Sequence, residues 1–329
     1  MRTKIDVKNK KLLIKIIKIY LLLLAIWTIF RYITADFVRA NDTNFFILQI
    51  VFESLIWLIP VLIYVIFLER RSLSSLGLVK KNIFSSILIG SILCVVGYVL
   101  YCLFLPSFLS LLGYVDLSTL QIWIAPQSSN VNWLLLMSFT VFGIIAVSEE
   151  VVHRGFIQNR LMEKTNPLIA IVFSSFLFTI SHLPIYIFVY QYNPHTSIAF
   201  LFDVFTFGLV LGYLFYKTKN LFGCIIWHGL SDWQSFFYAF TSKGKYIPED
   251  LLFLSRLISS VVVFVLSVIV IYVVFRWIGH LKEIKQGFLS KAGLISVKCP
   301  YCNTTFNITP TAKPFKIKCP SCNKKSMLR

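Results

Sequence analysis

Glu149 and Glu150 stand side by side at the end of a long apolar run, in Ser148-Glu149-Glu150-Val151-Val152-His153-Arg154. Charged side chains are expensive to place at membrane depth and mark functional sites by default. Two later apolar runs each carry a histidine: Phe178-Thr179-Ile180-Ser181-His182, just before Pro184, and His228-Gly229-Leu230-Ser231-Asp232. Together these side chains suit amide hydrolysis. A glutamate can take a proton from water as general base. Imidazoles can donate to the oxyanion or bind a metal when neutral.

Each piece also has a bland reading. The fourth apolar run, ending in Glu149 and Glu150, could be a helix end with solvated charges, and a lone membrane histidine is more often an interhelical hydrogen-bonder. Three runs presenting such groups together are harder to dismiss, because buried polar groups need partners and these can partner one another. On a helix, Glu150 and Arg154 share a face by i,i+4 spacing, and Glu149 and His153 share the neighbouring face. His228 and Asp232 are likewise one turn apart.

The elements that must hold these residues are membrane helices. The chain is 57% hydrophobic and only 14% charged, which excludes an ordinary globular domain at about 25% charged. Runs of about 20 apolar residues predict eight spans, approximately 13–33, 45–68, 83–105, 132–152, 168–190, 197–216, 221–240 and 257–278. The first is read as a retained anchor, since no small-residue cleavage site follows it. Lys and Arg collect before the first span and in the second, fourth and sixth loops (Arg70, Arg71, Lys80, Lys81; Arg154, Arg160, Lys164; Lys217, Lys219). The seventh loop, with Lys243 and Lys245, is the exception. This bias places both termini in the cytosol. Glu53, in the second span before Pro60, is expected to pair with a neighbouring helix or face a cavity. Asp203, near the outer end of the sixth span, is expected to be hydrated, the outer halves of the spans that carry Glu149, Glu150 and the histidines to be apolar, and Gly208 and Gly212 to mark close helix packing.

Composition breaks near Gly279, dividing a transmembrane domain (1–280) from a basic linker and small module (281–329). Cys299-Pro300-Tyr301-Cys302 and Cys319-Pro320-Ser321-Cys322 have the spacing of a closed four-thiolate zinc site. The module (299–322) reads as a zinc ribbon with structural zinc and strands near 304–308 and 315–318. A disulfide framework is not expected in the cytosol. Cys94, Cys102 and Cys224 lie in apolar runs as packing residues. The net charge is +18, much of it in this tail. Anionic lipid is its simplest partner; a protein partner of the ribbon fits, and nucleic acid is disfavoured.

Glu149-Glu150-x-x-x-Arg154, Phe178-x-x-x-His182 and His228-x-x-x-Asp232 resemble, in order, the motifs of the CPBP family of CAAX-prenyl endopeptidases and Abi-type relatives. Phe207–Gly212 and Lys217–Phe222 resemble its glycine-bearing helix and following turn. The resemblance covers about 132–235. It implies an all-α polytopic membrane peptidase acting on membrane-associated peptides or proteins from the cytosolic side. In that scheme Glu149 activates water, His182 and His228 orient water or stabilise the tetrahedral intermediate, and Glu150 and Arg154 form a supporting ion pair. The family commonly has Asn where this chain has Asp232. An ionised acid cannot donate to an oxyanion, so orienting His228 is the better role. Glu149, His182 and His228 could also hold a catalytic divalent metal with one open position; a metal-free site is slightly preferred. A non-catalytic scaffold or bacteriocin-immunity protein is the alternative on the same fold. The Lys-, Ile- and Phe-rich composition suits an AT-rich genome, and the expected location is a bacterial plasma membrane.

Overall fold

The computed structural model describes residues 7–40, 48, 50–113, 121–122, 131–237, 240–241, 249–291, 295–309 and 315–328. It contains two compact units, Met1–Val270 and Ile271–Arg329. Lys243 and Lys245 of the seventh loop lie outside the described residues.

The first unit is helical. Its elements are α1 (Val7–Ala40), α2 (Ile50–Leu68), α3 (Ile83–Leu111), α4 (131–162), α5 (Pro167–Val189), α6 (Pro194–Thr218), α7 (Phe222–Phe237) and the first part of α8 (Glu249–Lys291). Among the described residues, five helices are long and apolar enough to cross a membrane: Leu13–Asp36 within α1, then α2, α5, α6, and Arg256–His280 within α8. The other three predicted spans are also helical. The seventh stops at Phe237, however. Phe240–Thr241 instead forms a short strand, β2, antiparallel to β1 (Gln121–Ile122). An apolar run does not by itself distinguish helix from strand.

Local chemistry explains the helix ends. Asn166 and Asn193 cap α5 and α6, accepting from Leu168 N at 2.8 Å and Thr196 N at 2.7 Å, each followed by proline at the first helical position. Lys219, at φ +53°, turns the chain out of α6, and Asn220 Oδ1 accepts from Phe222 N at 2.9 Å to start α7.

Buried residues Ile16, Tyr20, Leu23, Trp27 and Phe30 form one stripe of α1 at helical spacing, while Leu22, Ile29 and Ile33 face outward. The stripe docks on α5: the Tyr20 hydroxyl donates to the Leu177 carbonyl, and Trp27 Nε1 donates to Ser181 O at 3.1 Å. Helix α6 approaches α4 and α5 closely through its glycine pair. A Cβ on Gly212 would sit 2.8 Å from Gln158 Oε1 and 3.0 Å from Ile171. The bare backbone there lets Gly212 O accept from Gln158 Nε2 at 2.8 Å and Gly208 O accept from Arg154 Nη2 at 3.3 Å. The glycines therefore pack, as expected, and also supply carbonyls to polar side chains of α4.

The loops predicted to share one side of the membrane are joined to one another. Arg160 bridges to Glu69 at 2.8 Å and donates to Ser75 O, Asn220 Nδ2 donates to Val79 O and Lys81 O, and Arg71 pairs with Glu163. Partial burial of Glu163 favours its neutral form, but the hydrogen bond and charge of Arg71, with Arg160 and Lys164, hold its carboxyl below the usual range. A depressed folded pKa stabilises above the unfolded value, about 4.3, and that contribution is lost as pH falls through the folded value. Both side chains are substantially exposed, so Glu163→Gln is expected to cost at most about 1 kcal/mol. Unfolding in detergent at pH 7 and pH 3 checks this: the two proteins should differ at pH 7 and converge at pH 3.

In the second unit, α8 continues without interruption through Gly279 to Lys291. The composition break is thus not a helix end. Two antiparallel hairpins follow, β3 (Ile295–Lys298) with β4 (Thr305–Ile308), and β5 (Phe315–Lys318) with β6 (Lys325–Leu328).

Candidate active site

Helix α4 presents the carboxylates through a change of helix type. Ala146–Glu150 is α-helical and Val151–Gln158 is π-helical; such i→i+5 insertions cluster at functional sites. Glu150 and Arg154 keep their i,i+4 contact, Arg154 Nη1 to Glu150 Oε1 at 2.8 Å, with both side chains fully buried. The Arg154 guanidinium also lies over the Phe178 ring at 4.3 Å. Glu149 and His153, which share a face by spacing, do not pair through their side chains. His153 Nδ1 instead bonds the Glu149 backbone carbonyl at 2.9 Å, and its ring packs among Phe178, Tyr20 and Trp57.

Two helices bring the remaining residues to Glu149. His228 Nε2 of α7 lies 3.6 Å from Glu149 Oε2, and His182 Nε2 of α5 lies 3.8 Å from the same oxygen. Asp232 Oδ2 is 3.4 Å from His228 Nε2. The far sides of both imidazoles are committed. His228 Nδ1 meets Glu150 Oε1 at 2.8 Å and His182 Nδ1 meets Phe178 O at 2.9 Å. A backbone carbonyl can only accept, so His182 carries its hydrogen on Nδ1. Its Nε2 is then a lone pair in the neutral ring, and donates only in the imidazolium. Glu150, paired with Arg154, meets His228 Nδ1 and fixes its ring. Asp232 lies on the Nε2 side, so Glu150 is the carboxylate that orients this histidine. Glu149 Oε2 is buried and has no hydrogen-bond partner among the protein atoms.

Glu149, His182, His228 and Asp232 line a cavity of about 720 Å³. Sequence reasoning underrated its other walls. Arg31, inside the first predicted span, is buried over the Trp27 ring at 4.0 Å and lines the cavity with the buried Glu53. Asp203 is not simply hydrated: it pairs with Arg256 Nη1 at 2.8 Å, and Arg256 lies over the Phe200 ring at 3.8 Å. Tyr186, Tyr190 and Tyr192 stack around this part of the cavity. An arginine and a glutamate inside consecutive spans were the readable signal for Arg31 and Glu53. Nothing local pairs Asp203 with Arg256, which lie on different helices.

Residues 131–234 match the Rce1-like family, type II CAAX prenyl endopeptidases. The matched segment contains Glu149, Glu150, Arg154, His182, His228 and Asp232. The Rce1-like match covers about a third of the chain and, with the five apolar helices, points to an integral membrane protein. Arg31, Glu53 and Arg256 lie outside the Rce1-like segment, so the cavity is completed by helices that flank it. No curated protein matches the chain.

In the second unit, the Sγ atoms of Cys299, Cys302, Cys319 and Cys322 lie within 4.8 Å of one another, the one such group of three or more ligands among the described residues. Sulfurs of Cys299 and Cys322, and of Cys302 and Cys319, are 3.6 Å apart. A tetrahedral zinc with bonds of about 2.3 Å needs sulfur separations of about 3.8 Å, so the thiols fit a structural zinc. Each knuckle closes identically, Cys299 N to Thr304 O and Cys319 N to Lys324 O, with Asn303 and Asn323 left-handed. Cys94 and Cys224 are buried in the first unit, as expected of packing residues.

Proposed function

We propose that this protein is an intramembrane endopeptidase that hydrolyses membrane-associated peptides or proteins from the cytosolic side. The observation that carries this reading is the convergence of both Nε2 atoms on a buried Glu149 oxygen that has no bond of its own, inside a cavity large enough for an extended peptide.

Glu149 takes a proton from water as the water oxygen attacks the scissile carbonyl. His182, with its Nε2 lone pair, orients that water. His228 faces three carboxylates, Glu149, Glu150 and Asp232, and as an imidazolium it donates from Nε2 to the developing oxyanion. The tetrahedral intermediate collapses with cleavage of the C–N bond, and the proton held by Glu149 passes to the leaving amine. Glu150 and Arg154 hold His228; they do not touch substrate. A divalent metal would be held by Glu149 Oε2 and the two Nε2 atoms and would polarise the carbonyl.

Eight spans, with both termini cytosolic, complete the proposal, and residues 281–329 form a zinc-holding cytosolic module. Mutation of Cys319 to Ser should release the zinc and unfold β3–β6, since structural zinc supplies about 10–16 kcal/mol to such small folds. Metal content by mass spectrometry should fall from one zinc per chain to none, with proteolysis beginning after residue 291 while the membrane helices stay protected. Retained zinc and resistance would reject the assignment.

The catalytic proposal is tested by N-terminal proteomics on membrane and released peptides from cells carrying wild type or Glu149→Ala at matched levels. New N-termini seen only with wild type, reproduced with purified protein in vesicles, support it. Identical profiles with the cellular phenotype intact would establish the scaffold alternative.

A further inference from the structure

The two hairpins of the second unit are a structural repeat, and their differences point to a ligand. Lys298-Cys299-Pro300-Tyr301-Cys302-Asn303-Thr304-Thr305 corresponds position by position to Lys318-Cys319-Pro320-Ser321-Cys322-Asn323-Lys324-Lys325. Both make the same knuckle bonds and the same left-handed asparagine. Where the first hairpin has Thr304 and Thr305, the second has Lys324 and Lys325. In the first, Lys298 is directly opposite Thr305; in the second, Lys318 is directly opposite Lys325. Like charges directly opposed across strands are destabilising, and the first hairpin shows that the knuckle folds with threonines there. The lysines are therefore not required by the fold of the knuckle.

The surroundings favour an interfacial ligand. Lys318, Lys324 and Lys325 are all exposed. Lys324 Nζ sits over the Tyr301 ring at 5.0 Å, and Tyr301 is itself 57% exposed. Tyrosine with neighbouring lysines is the composition of a membrane–water interface. The tether is short: the apolar part of α8 ends at His280, the helix continues to Lys291, and β3 begins at Ile295. That helical continuation spans only about 16 Å. A short tether keeps the hairpin at high effective concentration near the bilayer from which α8 emerges.

We infer that Lys318, Lys324 and Lys325, with Tyr301, form a docking face for anionic lipid headgroups. Each lysine near an anionic surface biases docking about fivefold, so three together give about a hundredfold. The inference does not rest on the peptidase reading, and a catalytically silent protein should show it equally.

The test uses full-length, zinc-loaded protein in nanodiscs of phosphatidylcholine alone or with phosphatidylglycerol, with amine labelling at each lysine followed by mass spectrometry. Labelling of Lys318, Lys324 and Lys325 is expected to fall at least about fivefold in the anionic discs, and to recover at 1 M salt. Lys324→Thr combined with Lys325→Thr rewrites the second hairpin in the pattern of the first. It should keep its zinc and lose the protection of Lys318. Equal labelling in both lipids, or full protection of Lys318 in this variant, would overturn the inference. Protection in neutral discs only after adding an oligonucleotide would make nucleic acid the partner and also overturn it.

Discussion

Glu149→Gln is expected to lower turnover by about 10²–10⁴-fold, the usual contribution of a general base, without moving the unfolding midpoint. Glutamine keeps the shape of the side chain but cannot take the proton from water. Because Glu149 Oε2 bonds no protein atom, the substitution breaks no hydrogen bond at that oxygen. The measurement is cleavage, by purified protein in vesicles, of a substrate identified by N-terminal proteomics, alongside thermal unfolding. A variant that retains half the wild-type turnover would remove Glu149 from the reaction. A variant that unfolds early would show that the carboxylate is structural.

Arg154→Met is expected to destabilise the protein by about 3–5 kcal/mol, the cost of leaving one member of a buried ion pair uncompensated. The guanidinium holds Glu150 at 2.8 Å and Gly208 O at 3.3 Å, and lies over the Phe178 ring, so it ties α4 to α5 and α6. Glu150 would remain buried with only His228 beside it. Combining Glu150→Gln with Arg154→Met removes both charges and should restore most of the stability. Turnover should stay low in the double variant, because His228 then lacks its charged partner at Nδ1. Thermal unfolding of wild type, both single variants and the double variant separates these effects. If Arg154→Met alone were as stable as the double variant, the pair would carry no such penalty.

The readable part of the site was the part written in short spacings. Glu150 and Arg154 are four residues apart, and that distance survives even where α4 becomes π-helical. Glu149 and His153 have the same spacing, yet His153 bonds a backbone carbonyl and turns into an aromatic nest. The sequence does not announce the π-helical turn, so equal spacings gave unequal outcomes. Likewise, Asp232 was the natural partner to orient His228 on its own helix, but Glu150, from a helix 78 residues away in sequence, holds Nδ1.

Composition and apolar run length were sufficient for the helical membrane class, because the bilayer core excludes unpaired backbone and leaves helices or closed barrels as the solutions. The two CPxC pairs likewise determined the four-thiol cluster, since close ligands on tight turns need only one long-range closure. Tertiary packing alone decided what surrounds the reacting groups. Arg31 and Glu53 on α1 and α2, and Arg256 on α8, reach the same cavity as Asp203 and Glu149. Those meetings depend on how helices cross, which the Gly212 close approach and the α1–α5 hydrogen bonds set. A one-dimensional pattern fixes which face of a helix is polar. Which other helix that face meets is set by side-chain shape at crossings far apart in the chain.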